Sequence, residues 1–223
     1  MFGRVVGYAA IAVLIPAAAL AQAPARKVPQ ARKTANTQAS VHLALAADGN
    51  VARFIVREHL MIADLPNDAI GTTKAITGGI TFGADGRIDP AASRLTVQMA
   101  TLTSDNDHRD TWIKEHTLRT DSFPTAAFVV RELQGLPARL PTTGTMSLKM
   151  VGDFTVHGVT KPWTWDVTLT ANGNDYTGRA TTHLKFGDFG MDQPRLMIVV
   201  SVVDDVKLEY DFHFTKQQAP PGM

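Results

Sequence analysis

Seven histidines and one adjacent Arg109-Asp110 pair are the side chains that most invite a chemical reading. A zinc hydrolase needs histidines one helical turn apart around a glutamate, H-E-x-x-H, or an H-x-H on one strand face. Neither spacing occurs, and His108 and His116 stand eight residues apart on a short helical stretch. A hydrolase nucleophile would sit in a G-x-S-x-G elbow, which is absent. Gly78-Gly79 lacks the strand and helix context of a phosphate-binding loop. The pattern therefore implies no catalytic residue, no metal and no cofactor. Arg109-Asp110 reads first as an exposed or helix-anchoring ion pair, worth about 0.2–1 kcal/mol.

The elements that must carry these side chains are strands. Thr145 to Val151 sets Met146, Leu148 and Met150 on one face, and Trp163, Trp165, Val167 and Leu169 alternate with polar residues after it. Period two on both sides of the stretch 152–162 predicts a hairpin, with Gly158 and Pro162 in its connection. The same alternation puts Phe54 and Val56 inward on Val51 to Arg57, and Phe128 and Val130 inward on Thr125 to Leu133. A long run from Ala69 to Phe82 carries Ile80 and Phe82, with a bend expected at Gly78-Gly79. Leu95, Val97 and Met99 follow, and Tyr176 to Phe186 adds a further strand with Leu184 and Phe186 inward. Leu196 to Val203 reads as one arm of a last hairpin with its turn at Asp204-Asp205. In its second arm Leu208, Tyr210 and Phe212 oppose Lys207, Glu209, Asp211 and His213. Ser104 to Asp107 has the form of a capping box opening a helix over Asp105 to Glu115, with Trp112 as its main apolar contact. Nine or ten strands and one short helix predict an all-β antiparallel sheet, either a sandwich or, preferably, a closed barrel with the helix as a flap at its mouth.

The first residues form a different unit. Arg4, an apolar stretch from Val5 to Ile15 and Ala19-Leu20-Ala21 have the layout of a signal peptide over 1–21. Export to the periplasm or the exterior follows as an expectation. Residues 22–39 are basic and proline-containing with few large aliphatics, and read as a disordered linker ahead of a barrel at 40–216 and a short tail at 217–223. The chain has 22 basic and 21 acidic residues, and Arg4 is the only charge before residue 22, so the remainder is neutral. That balance argues against nucleic acid as a partner. Without cysteines, stability must come from the core rather than from disulfides. No second apolar run is long enough for a membrane span, so no stable insertion is expected once the leader is removed.

Four stretches together resemble one family. Gly152-Asp153-Phe154-Thr155-Val156-His157-Gly158-Val159-Thr160-Lys161-Pro162 is similar to the central signature of the YceI-like family. Arg109-Asp110 with Leu118 to Phe128 resembles its upstream segment. Phe186-Gly187-Asp188-Phe189-Gly190-Met191 and Asp204-Asp205-Val206 resemble its downstream turn and closing hairpin. The resemblance implies an exported, lipocalin-like barrel that binds a long isoprenoid or another amphiphilic lipid, with a homodimer left open. Two departures stand out: the segment before Phe123-Pro124 is short, and Trp163 and Trp165 replace smaller aliphatics.

The candidate ligand contacts are the inward residues already named: Phe54, Val56, Ile80, Phe82, Val97, Phe128 and Val130 from the first strands. Met146, Leu148, Trp163, Trp165, Leu208, Tyr210 and Phe212 complete the strand set. Trp112 would close over them from the flap, and Arg109 would stand at the mouth beside a lipid head group. A barrel filled by its own aromatics, acting as a stress-related or partner-binding module, is the alternative. An enzyme acting on a lipid finds no supporting constellation.

Overall fold

A computed structural model describes residues 40–61, 65–195 and 199–218. The expected signal peptide, the linker through residue 39, Leu196 to Ile198 and the last five residues lie outside these. Among the described residues ten strands form: β1 Val41–Leu45, β2 Val51–Leu60, β3 Asn67–Thr73, β4 Ile76–Phe82 and β5 Arg94–Gln98, then β6 Thr125–Gln134, β7 Thr143–Val156, β8 Val159–Asn172, β9 Asp175–Leu184 and β10 Val199–Gln218. They make one antiparallel sheet, in the order β1-β4-β5-β6-β7-β8-β9-β10-β2-β3, and β1 also pairs with β10. That last pairing closes an eight-stranded barrel, which leaves no sheet edge in the circuit.

The two extra strands are continuations. β1 runs beside Phe214 to Gln218 of β10, and β2 beside Val199 to Asp211 of the same strand. β4 pairs with β1 and β3 with β2, so β1 and β2 make one bent strand and β3 and β4 another. Asn50, 9% exposed, pins the first bend. Its Nδ2 donates to the Ala46 carbonyl at 2.9 Å, and its Oδ1 accepts from the Tyr210 hydroxyl at 3.0 Å and the His213 amide at 3.1 Å. Burial holds the Tyr210 phenol well above the usual tyrosine range. Because the folded-state value is raised, the neutral phenol contributes its stability below pH ~10 and loses it above, as the unfolded chain ionises first. Tyr210→Phe is expected to cost about 1 kcal/mol at neutral pH and to flatten the loss of stability in alkali. Urea titrations across that range would show an unchanged alkaline slope if the phenol were solvated.

Several expected boundaries move. The central hairpin turns on His157-Gly158 alone, with φ 50 and 76, the two left-handed positions of a tight hairpin turn. Gly152 and Pro162 therefore belong to strands, Pro162 lying opposite Asp153. The proline is tolerated because β9 pairs with β8 only from Asp166 onward, so no neighbour needs its missing N–H. The break in the 69–82 run falls at Lys74-Ala75, and Gly78-Gly79 pair in register with Leu95 and Arg94. No turn forms at Asp204-Asp205. β10 continues through them, because residues on both sides pair with β2; 203–205 bulge opposite Arg57. Asp204 instead accepts from the Phe186 amide at 2.9 Å, and Asp205 meets His183 at 3.0 Å. The tail begins later than expected, since Gln217 and Gln218 pair with β1.

The helix α1 spans Asp107–Trp112 and runs into a π-turn, Ile113–Thr117. Its N-cap is Asn106, whose Oδ1 accepts from the Arg109 amide at 3.0 Å, not Ser104. Ser104 is engaged by Asp110, which accepts from its amide at 2.7 Å and its hydroxyl at 2.5 Å.

Three phenylalanine rings lie across glycines of the neighbouring strand. A Cβ would come within 2.1 Å of the Phe54 ring at Gly71, 2.8 Å of Phe128 at Gly152 and 2.6 Å of Phe212 at Gly178. Only a hydrogen fits beneath each ring, so the rings lie against the barrel wall rather than across its axis.

Candidate ligand cavity

The two ends of the barrel differ. At one end the adjoining ends of β2 and β3 meet the α1 segment through Glu58, Asn67 and Arg109, and the His157-Gly158 turn meets Phe189 beyond β9. Below them lies a cavity of about 180 Å³, lined almost wholly by apolar groups. A smaller one of about 40 Å³ lies beside Leu43, Leu136, Leu169 and Phe214. The interior is thus open toward the mouth and largely filled toward the other end. The upper cavity is smaller than the several hundred Å³ expected of a drug-sized ligand site.

The inward residues divide between these spaces. Phe54, Val56, Val97, Phe128, Trp165, Leu208 and Tyr210 line the upper cavity. Ile80, Leu148 and Phe212 line the lower one, which Tyr210 also reaches. Phe82 and Val130 are buried in the surrounding core, Val130 completely, and Met146 is half-buried against it. Trp163 packs on Phe154 and Phe189 and donates from Nε1 to Thr182 at 2.9 Å, outside both cavities.

Trp112 does not close over the strands. It stacks on His116 with centroids 4.7 Å apart, and the flap contributes Ile113 and Leu118 to the cavity instead. Helical direction explains this, since Ile113 is the neighbour of Trp112 and faces a different side. Met150, Phe154 and Val156 also line the cavity from β7, the last two because the strand runs on through the stretch expected to connect the hairpin. Phe186 faces inward as its spacing predicts, but from a short 3-10 turn after β9 ends at Leu184, and Met191 and Pro194 enter from irregular backbone, which has no period to read.

Arg109 stands at the mouth, but its main partner is not Asp110. Its Nη1 donates to Glu58 at 2.9 Å, and the two side chains are 9% and 4% exposed. Nη2 donates to Ser104 at 2.8 Å and also meets Asp105. Glu58 accepts further from Asn67 at 3.3 Å. The pair is buried rather than exposed, because Glu58 points inward from β2 and the flap folds over it. Three buried groups lining the upper cavity have atoms without partners: Arg109 Nε, Thr117 Oγ1 and Trp165 Nε1.

Fold and cavity define a closed up-and-down β-barrel with an apolar interior open to one end. Residues 34–214 match the YceI-like domain, and the chain belongs to that family. A UPF0312 protein of Pseudomonas putida is 33% identical over 133 residues, covering 56% of this chain and 64% of the relative. A UPF0312 protein of Pseudomonas fluorescens is 31% identical over 132 residues, with the same shares. The match thus spans less than two thirds of the length of these relatives. Among solved structures, a polyisoprenoid binding domain from Saccharophagus degradans superposes with a TM-score of 0.61 at 11% identity, covering 81% of this chain and all of that one. BcnA of Burkholderia cenocepacia gives 0.55 at 18%, with 78% and 99% covered. At these identities the likeness concerns the fold.

Proposed function

We propose that this protein is an exported carrier that holds the tail of an isoprenoid or other amphiphilic lipid inside its barrel, and that it binds rather than transforms the ligand. The observation that carries the reading is the upper cavity, almost wholly apolar and lined from strands and mouth segments alike. Burying a hydrocarbon tail contributes about 0.8 kcal/mol per methylene. Roughly ten buried methylenes would match the ~8 kcal/mol of a micromolar complex before association costs are subtracted. The Arg4, apolar and Ala19-Leu20-Ala21 layout supports export. The binding domain named in the Saccharophagus structure supports an isoprenoid as one ligand class.

A long isoprenoid exceeds 180 Å³, so the part nearest the head would extend through the mouth or the upper walls would part. Native mass spectrometry and solvent extraction of protein purified from its own compartment are expected to recover a lipid. Protein that emerges empty and binds neither prenyl nor acyl probes would overturn the proposal, in favour of a filled barrel acting through its surface.

A further inference from the structure

The upper and lower cavities meet at a constriction whose residues come from three separate strands. Leu95 of β5, Met150 of β7 and Tyr210 of β10 line both spaces, and all three are buried. Tyr210 stands between Ala52 and Ala180 in the sheet register. A Cβ on either side denies its ring the recess that a glycine gives Phe54, Phe128 and Phe212, and the ring reaches both cavities instead. Its hydroxyl donates to Asn50 Oδ1 at 3.0 Å, which fixes the far end of the ring. A thioether side chain such as that of Met150 is a weak hydrogen-bond partner and rotates around several bonds. Met150 is therefore the most adaptable of the three.

A tail descending from the mouth reaches this constriction before the lower cavity. To pass, it must push Met150 aside, and the space beside Met150 is the lower cavity itself. That space is about 40 Å³, room for a few methylene-sized groups. It can take the displaced thioether or the end of the tail, but not both. The lower wall is held as well, since Tyr176 is fully buried and its hydroxyl donates to the Pro141 carbonyl at 3.0 Å. We propose that Leu95, Met150 and Tyr210 form a floor that sets the length of tail this protein accepts. The tail of a bound lipid ends on Met150, carbons beyond that length stay outside the mouth, and longer homologues gain no further affinity. The inference rests on the carrier reading above.

The test titrates the full chain with the n-alkanols from hexanol to tetradecanol, each below its solubility limit. Tryptophan fluorescence follows binding, since Trp165 lines the upper cavity. Affinity is expected to rise about fourfold per added carbon, the equivalent of one buried methylene. It should then level off once the chain spans the upper cavity. Met150→Ala removes Cγ, Sδ and Cε and joins the two cavities, so the plateau should begin about three carbons later. Val167→Ile adds a methyl to the wall of the lower cavity alone and should leave the plateau where it is. Where Met150→Ala fails to fold, the Val167→Ile comparison decides alone. Three results overturn the inference and leave the carrier reading standing: affinity that climbs through tetradecanol without a plateau, a plateau unmoved in Met150→Ala, or one that begins earlier in Val167→Ile. If no alkanol binds, the carrier reading falls and the inference falls with it.

Discussion

Arg109→Ala is expected to destabilise the barrel by about 3–5 kcal/mol, because it leaves Glu58 as a buried carboxylate without its cation. At this chain length that corresponds to a fall in melting temperature on the order of 10 °C. Glu58 is 4% exposed, and its remaining partner would be Asn67 at 3.3 Å. Removing both charges together, as Glu58→Met with Arg109→Met, should restore most of the loss. Paired hydrophobic replacements of buried ion pairs are often neutral or better. Thermal and urea unfolding of the two variants checks this. A single variant within ~1 kcal/mol of the parent would mean that the pair is solvated, as the exposed Arg109-Asp110 reading expected.

Trp165→Ala should cost about 3 kcal/mol, the lower end of the range for removing a buried aromatic. The side chain is 8% exposed and packs edge-on against Phe154 at 5.7 Å and Phe128 at 6.2 Å. It also forms part of the cavity wall, so part of its surface already faces open space and less packing is lost. The vacated volume adds to the upper cavity, and longer-tailed ligands are expected to gain affinity over shorter ones. Unfolding measurements with a chain-length series of ligands would separate the effects. A stability loss at the top of the range with an unchanged length preference would assign Trp165 to packing alone.

Alternation made the barrel legible because burial on one face imposes period two wherever a strand runs. Val206, Tyr210 and Phe212 are buried as their spacing predicts, and Asp211 and His213 remain on the other face. Turns were less legible because turn-forming residues also serve other ends. Asp204-Asp205 resemble a hairpin turn, yet they cap the β9–β10 connection from within a bulged strand. Pro162 resembles a loop residue, yet stands where a strand lacks its second neighbour. The cavity was half legible. Its strand wall follows from alternation, whereas Ile113, Leu118 and Met191 come from segments whose path is set by what they cover. The Glu58–Arg109 pair was out of reach for a related reason. Nothing local joins residues 51 positions apart, and Glu58 breaks the apolar pattern of its own strand.

The phenyl rings laid over glycines also govern the bore of the barrel. At Gly152 and Gly178 an added methyl would strike backbone as well as ring, the Val129 carbonyl at 2.1 Å and the Thr168 carbonyl at 2.0 Å, so the ladder itself locks those two gauges. At Gly71 the nearest obstacles are all atoms of the Phe54 ring. A methyl there would tip one ring off the wall into the upper cavity and leave the strand pairing in place. Calibre can therefore be narrowed from behind the lining, by a single hydrogen-for-methyl exchange that touches no ligand.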